Sequence, residues 1–133
     1  MSVSRLLAVS SVLLFTVTAC WPSVPDSWVC GTYVASYPRG TDTIVLQADG
    51  RYVQTVSLAG EAPVSVRGDW TPNGRGHVLL RGGLAVLYGE GELPFGPDGP
   101  IASTSMPLEV FWFRVVMNSG ASYPYLKTAS CRR

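Results

Sequence analysis

The chain has 133 residues, a formal net charge of +1 and only 14% charged residues. Ten basic residues face nine acidic ones, so there is no electrostatic basis for binding nucleic acid or a strongly acidic membrane surface. Fourteen glycines and ten prolines favour many turns and little helix, and the length fits one domain behind an N-terminal signal.

The first twenty residues have the layout of a secretory signal. Arg5 precedes an apolar run, residues 6–19, which is shorter than the roughly 20 residues that span a membrane as a helix. The run ends in VTAC (17–20), which resembles the lipobox of bacterial lipoproteins. This resemblance implies a signal peptide over residues 1–19, acylation of Cys20 with chains such as palmitate, and attachment to a membrane. An ordinary signal peptide or an uncleaved anchor are the alternatives.

The residues that follow Cys20 indicate where in the cell envelope the protein is located. Residue 21 is Trp rather than Asp, which by resemblance to enterobacterial sorting favours the outer membrane, with the domain facing the periplasm. The inner membrane and the cell surface remain alternatives. Residues 20–29 form the anchor and a short tether, in which Trp21 and Trp28 could lie at the level of the lipid headgroups.

The other two cysteines form an even pair. With Cys20 acylated, Cys30 and Cys131 remain in an oxidising compartment, where a disulfide is the expected state. A redox or metal-binding pair is the alternative, although neither cysteine has a CxxC partner or a neighbouring histidine. The domain of residues 30–133 is therefore expected to be bridged near both of its ends.

The hydrophobic pattern of the domain has a period of two, which indicates β-strands. Segment 63–70 alternates apolar with polar side chains, and in segment 51–58 only Gln54 interrupts the apolar face. Asp49-Gly50 is a hairpin turn signal because the pair tolerates positive φ. Strands are predicted at 42–47, 51–58, 63–70, 77–82 and 84–88, with turns at 48–50 and 71–76.

The second half of the domain is less regular. Residues 89–107, rich in glycine and proline at their start, predict a long connection of the kind that is usually functional or disordered. Residues 108–118 are apolar on both faces, which predicts one strand that is central in its sheet, packed against another element or in contact with a partner. A closing strand is predicted within 122–131. The fold class is all-β: a small antiparallel meander barrel or curled sheet of about seven to eight strands, closed by one disulfide.

Three motifs carry a family resemblance. CGTY (30–33), DGRY (49–52) and GDW (68–70) are similar to lipocalin-like lipoprotein domains, in particular to the N-terminal barrel of NlpE-type envelope lipoproteins, over roughly residues 30–82. The resemblance implies a barrel. The CxxC of that copper-stress family is absent, so metal sensing is not implied, and the lipocalin Gly-x-Trp is represented only by Gly31-Thr32-Tyr33.

Residues suited to catalysis are few. His77 is the only histidine; no GxSxG nucleophile motif accompanies it, and we interpret it as an exposed residue at a strand end. Glu90 and Glu92 form a carboxylate pair in a glycine-rich segment, where their expected role is to keep the segment soluble. No zinc, calcium or phosphate-loop motif is present, so we predict neither an enzyme nor a bound cofactor or metal.

Binding is the better-supported class of function. Aromatic residues make up 11% of the chain, and the simplest interpretation is that they fill the barrel. The alternative is that some of them, near or behind the 89–107 connection, line a recognition surface. The candidate binding residues are Tyr88, Glu90, Glu92, Phe95, Asp98 and Trp112. The sequence thus predicts an envelope binding module for a protein partner or a small apolar ligand. The alternative is a lipid-anchored periplasmic inhibitor or immunity protein that blocks a hydrolase or toxin with the 89–107 connection.

Overall fold

A computed structural model describes residues 24–73, 76–84 and 103–131. In these residues one turn of helix precedes eight strands. The elements are α1 (Asp26–Val29), β1 (Gly31–Tyr37), β2 (Gly40–Leu46), β3 (Arg51–Leu58), β4 (Val64–Asn73), β5 (His77–Arg81), β6 (Ser103–Phe111), β7 (Arg114–Met117) and β8 (Tyr125–Ser130).

The strands form a closed antiparallel barrel. Each strand pairs with its neighbour in sequence, and β1 pairs with β8 to complete the ring. The registers are continuous where the strands are long: Val45 of β2 lies opposite Thr32 on one side and Val53 on the other. The predicted all-β meander barrel is therefore confirmed, including its number of strands.

The interior follows the alternation seen in the sequence. All four inward positions of β3 are buried, including Gln54, and so are Ile44 and Leu46 of β2. Tyr33 and Tyr52 are fully buried and fill much of the space between the walls. Because large side chains occupy these inward positions, the described part of the barrel has a packed core rather than an open ligand cavity.

The ring closes where β1 meets β8. Gly31 has φ +148°, and a Cβ atom at this position would lie 2.1 Å from the carbonyl oxygen of Ala129. The two strands can therefore approach each other only because residue 31 has no side chain. The predicted disulfide between Cys30 and Cys131 is confirmed here: it joins residues 101 positions apart, with a Cα–Cα distance of 5.5 Å.

Helix α1 packs under the same end of the barrel. Val29 is buried, and its carbonyl oxygen accepts a hydrogen bond of 2.5 Å from the Tyr33 hydroxyl. The carbonyl oxygen of Trp28 accepts a hydrogen bond from the Lys127 ammonium group on β8. The last four residues of the predicted tether are thus fixed to the domain.

Parts of the predicted turn 71–76 and of the predicted connection 89–107 are strand in the structure. Strand β4 continues to Asn73, which lies opposite His77 of β5. Strand β6 begins at Ser103, which lies opposite Arg81. Residues 71–73 and 103–107 are therefore strand residues, while the predicted strand 84–88 lies, except for Leu84, outside the described residues.

The prediction of a single strand over 108–118 is wrong. The segment is a hairpin: β6 ends at Phe111, Trp112 and Phe113 form the turn, and β7 begins at Arg114. Both faces looked apolar because the segment contains two short strands and an aromatic turn. The pattern also lacks the glycine or asparagine that usually signals such a turn.

The up-and-down path gives the barrel two distinct ends. The end that we call the disulfide end carries the Cys30–Cys131 bond, α1, the turn at 47–50 and the turn at Trp112–Phe113. The opposite end carries the connections 38–39, 59–63 and 118–124. No helix within the described ranges is long and apolar enough to cross a membrane.

Replacing both bridge cysteines, Cys30→Ser with Cys131→Ser, is expected to lower the free energy of unfolding by about 4.7 kcal/mol, the chain-entropy value for a closed loop of roughly 100 residues. Urea denaturation monitored by circular dichroism measures this difference. Reduction of the wild-type protein is the matched control and should give the same midpoint as the double variant. A loss below about 1 kcal/mol would mean that β1–β8 pairing alone closes the barrel.

Candidate binding surface at the aromatic hairpin

The turn between β6 and β7 is unusually tight for its side chains. Phe111 pairs with Arg114, so Trp112 and Phe113 form a two-residue loop. Their φ angles are +48° and +67°, which is the backbone of a type I′ turn. Asparagine and glycine normally occupy these positions, because larger side chains are strained at positive φ.

The strain at Trp112 and Phe113 is a local conflict between sequence and backbone. A residue held in a sparsely populated backbone region costs about 1–3 kcal/mol and persists only where the surrounding structure imposes it. Here two large aromatic residues stand where Asn-Gly would fit without strain. An outlier of this kind is a reason to look for a function at the turn.

The hairpin projects from the barrel wall. Strand β6 pairs with β5 only up to Pro107, and β7 pairs with β8 only from Val116 onward. In the hairpin register Glu109 lies opposite Val116, and both Leu108 and Val115 are still buried. Beyond Glu109 and Val116 the hairpin is a two-stranded ribbon with no paired strand on either side, and its strands extend roughly 7 Å further, at about 3.3 Å per residue.

The end of this ribbon is apolar and exposed. Relative exposure is 66% for Phe111, 82% for Trp112 and 98% for Phe113. We call these three residues the aromatic tip. Val110, just behind the tip, is 45% exposed. Single exposed apolar side chains are ordinary, but a contiguous aromatic group on a projecting hairpin is typical of an interaction surface.

Polar groups flank the aromatic tip without covering it. Glu109 is exposed at the base of the ribbon, and Arg114 is exposed beside the tip, opposite Phe111. At the same end of the barrel Trp28 is 52% exposed. Lys127 lies 5.8 Å from the centre of the Tyr33 ring, and partial burial lowers the pKa of its ammonium group. The disulfide end thus combines exposed aromatic side chains with a few charged ones.

The interior towards the opposite end contains a buried polar cluster. The carboxylate oxygen Oδ2 of Asp42 accepts hydrogen bonds from Gln54 Nε2 at 2.7 Å and from the Tyr125 hydroxyl at 2.6 Å. Gln54 Oε1 in turn accepts one from the Leu84 backbone N–H at 2.7 Å. The cluster therefore fixes the backbone where the chain leaves β5.

Burial dominates the electrostatics of this cluster. Asp42 is fully buried, and its Oδ1 has no hydrogen-bond partner among the described residues. Desolvation raises the pKa of the Asp42 carboxyl to about 6, although the hydrogen bonds from Tyr125 and Gln54 act in the other direction. Burial, reinforced by the charge of Asp42, also raises the pKa of the Tyr125 hydroxyl well above its ordinary range.

Other features of the described barrel are weaker candidates for a functional site. A shallow depression of about 290 Å³ lies on the outer wall beside Arg51 and Arg67. His77 begins β5 and is half-buried rather than exposed. Among the described side chains there is no group of three or more His, Cys, Asp or Glu residues placed to bind a metal ion.

Of the predicted binding residues, only Trp112 is within the described part of the chain. Tyr88, Glu90, Glu92, Phe95 and Asp98 lie outside it, as does Cys20. The chain leaves the described structure after Leu84 and returns at Ser103, both towards the opposite end, whereas Trp112 is at the disulfide end. Whether Trp112 lies near or behind the 89–107 connection depends on residues outside the described ranges, so this expectation stays a prediction.

Sequence reasoning missed Phe111, Phe113 and Asp42. The first two were assigned to a strand because Phe-Trp-Phe contains no turn residue. Asp42 had a usable signal, since it lies two positions before Ile44 and four before Leu46, both of which point inward. Gln54, the exception in its strand, had the same signal: a polar residue at an inward position requires a buried partner.

Comparisons with protein-family models, with curated proteins and with solved structures found no match for this chain.

Replacing the turn by its preferred residues, Trp112→Asn with Phe113→Gly, is expected to stabilise the barrel by about 1–3 kcal/mol because it relieves positive-φ strain. The midpoint of thermal unfolding measures the gain. Phe111→Ser is the matched control: it removes an exposed aromatic side chain from the strand end without changing the turn and should give no gain. Destabilisation of the double variant would show instead that the aromatic side chains support the fold.

Asp42→Asn is expected to stabilise the barrel at neutral pH and to reduce its pH dependence. The carboxyl pKa rises from its ordinary value of 3.8 to about 6 on folding, so the folded state binds more protons between these values. The contribution of Asp42 to stability is therefore greatest below pH 4 and decreases as pH rises to about 6, by up to about 3 kcal/mol.

Urea denaturation of wild type and Asp42→Asn between pH 4 and pH 8 measures this effect. The difference between the two proteins should grow from pH 4 to pH 6 and then stay constant. Asp69→Asn, at an exposed position of β4, is the control. Parallel curves for wild type and Asp42→Asn would contradict the assignment.

Proposed function

We propose that this protein is a lipid-anchored envelope protein whose barrel is a non-enzymatic binding module, and that the aromatic tip is its binding surface. The observation that carries the proposal is the exposure of Phe111, Trp112 and Phe113 on a strained, projecting turn. Aromatic side chains contribute strongly to binding because they bury a large area and lose little rotamer entropy. A strained turn retained at such a place is consistent with selection for binding rather than for stability.

The packing of the interior supports a surface partner over a small apolar ligand. Side chains fill the inward positions of β2 and β3, and the Asp42 cluster with Leu84 occupies the space towards the opposite end. A carrier of apolar ligands requires an apolar cavity of about 300–1,000 Å³. The depression beside Arg51 and Arg67, at about 290 Å³, is at the lower limit of that range.

The lipid anchor belongs to the same proposal. Cys20 lies four residues before Val24, the first described residue, and α1 follows immediately. This arrangement suits a domain held close to the membrane that carries its anchor, at the periplasmic face of the outer membrane by the sorting resemblance. The disulfide suits an oxidising compartment of that kind.

An inhibitor or immunity protein is the second candidate. A rigid hairpin with a projecting aromatic end has a shape that fits a concave active site. In that case the aromatic tip, rather than the 89–107 connection, is the better candidate for the blocking element, since residues 103–107 of that connection belong to β6. Stoichiometric loss of activity of a purified hydrolase or toxin on titration with this protein would identify this function.

Photo-crosslinking tests whether the aromatic tip is a binding surface. With p-benzoylphenylalanine at position 112, illumination of intact envelopes is expected to attach the protein to whatever contacts the tip, because the photoreactive ring replaces an exposed aromatic side chain. Adducts, whether to lipid or to protein, are then resolved by gel electrophoresis and mass spectrometry.

The matched control has the same amino acid at position 61. Glu61 is exposed in the connection after β3, at the opposite end of the barrel. Position 112 should give clearly more adduct than position 61. Equal yields at the two positions would contradict the assignment of the aromatic tip as the binding surface.

A further inference from the structure

We infer that the aromatic tip inserts into the interfacial layer of the same lipid bilayer that carries the anchor, so that the barrel stands on the membrane with its disulfide end down. The inference rests on the proposed lipid anchor and names the partner of the proposed binding surface.

The point where the chain enters the barrel provides the first argument. The chain enters the barrel through α1 and Cys30, which lie at the disulfide end together with Trp112 and Phe113. Cys20 lies four positions before Val24, and at no more than about 3.6 Å per residue this stretch spans at most about 14 Å. An anchor at Cys20 therefore holds the end that carries the aromatic tip against the bilayer surface.

The chemistry of the exposed residues provides the second argument. Tryptophan, with an apolar ring and one N–H donor, is enriched at the boundary between headgroups and acyl chains, and phenylalanine is common on the membrane-facing side of interfacial elements. Trp112 lies between two phenylalanines, and the half-exposed Trp28 is at the same end of the barrel. The protein has almost no net charge, so its surface suits apolar insertion rather than electrostatic adsorption.

The dimensions of the ribbon provide the third argument. Apolar faces of interfacial elements penetrate about 5–10 Å into the bilayer. The projecting part of the hairpin extends roughly 7 Å past its last contact with β8, which allows the tip to reach this depth while the barrel remains in water. Glu109 then lies near the headgroups, and Arg114, which pairs with Phe111, has a side chain long enough to reach back to lipid phosphates.

The orientation has a consequence for the rest of the molecule. With the disulfide end on the membrane, the opposite end faces away from it. That end includes the Asp42 cluster and the points where the chain leaves after Leu84 and returns at Ser103. Protein partners in the periplasm would then approach this end, not the aromatic tip.

Quenching of tryptophan emission by brominated lipids tests the inference. The full lipidated protein is reconstituted into vesicles of phosphatidylethanolamine and phosphatidylglycerol, with and without phosphatidylcholine brominated on its acyl chains. The quenched fraction of the emission is compared between wild type and Trp112→Tyr. Because Trp112 is highly exposed, the substitution should leave the fold intact.

The sign of the change in the quenched fraction shows whether Trp112 lies in the bilayer or in water. If Trp112 lies in the bilayer it is strongly quenched, and Trp112→Tyr lowers the quenched fraction. If Trp112 lies in water it is an unquenched emitter, and its removal raises that fraction and overturns the inference. Trp70→Phe is the matched control: Trp70 is buried in the barrel, where its Nε1 donates to the Gln47 carbonyl at 2.8 Å, so its loss should raise the fraction.

Two further outcomes separate this inference from the proposed function. If the protein does not float with the vesicles, the proposed lipid anchor fails, and the inference fails with it. If it floats but position 112 crosslinks mainly to a protein in intact envelopes, the binding module stands and the bilayer inference is overturned.

Discussion

The pairing of β1 with β8 is the contact on which the rest of the structure depends. It requires a glycine at position 31, because any side chain there would meet the Ala129 carbonyl at 2.1 Å, and a register shift between Thr32 and Tyr33 accommodates the approach. The Cys30–Cys131 disulfide fixes the strands immediately beyond this pairing. Without closure both strands would be open edges, and the inward side chains of the whole ring would lose their common interior.

Closure with eight strands also determines what lies at each end. In an up-and-down barrel with an even number of strands, the first strand begins and the last strand ends at the same rim. Every turn from an even strand to the next odd one lies at that rim too, which places the β6–β7 turn at the same rim as the start of β1. That the aromatic tip lies at the end where α1 and Cys30 lead into the barrel therefore follows from topology alone.

Much of this architecture could be predicted from the period-two pattern, and the failures have physical reasons. The strands around Gln54 followed the pattern because one face is buried and the other is not. Residues 108–118 did not, because the apolar side chains of residues 110–113 are exposed on a ribbon that leaves the wall, and Trp112–Phe113 lacks turn chemistry. Asp42 was overlooked as a site because its role depends on Tyr125, 83 positions away in sequence.

Two places in the described barrel violate the usual match between residue and environment, and they differ in how the violation is compensated. Asp42 is a buried carboxylate that is compensated in part within the protein, because Gln54 and Tyr125 donate hydrogen bonds to Oδ2 while Oδ1 has no partner among the described residues. Trp112 and Phe113 adopt strained backbone conformations, yet their side chains are 82% and 98% exposed and bury little against the barrel. Within the described chain nothing offsets both the strain and the exposure. The compensation is therefore expected from outside the protein, which is the physical reason for placing its binding surface at this turn.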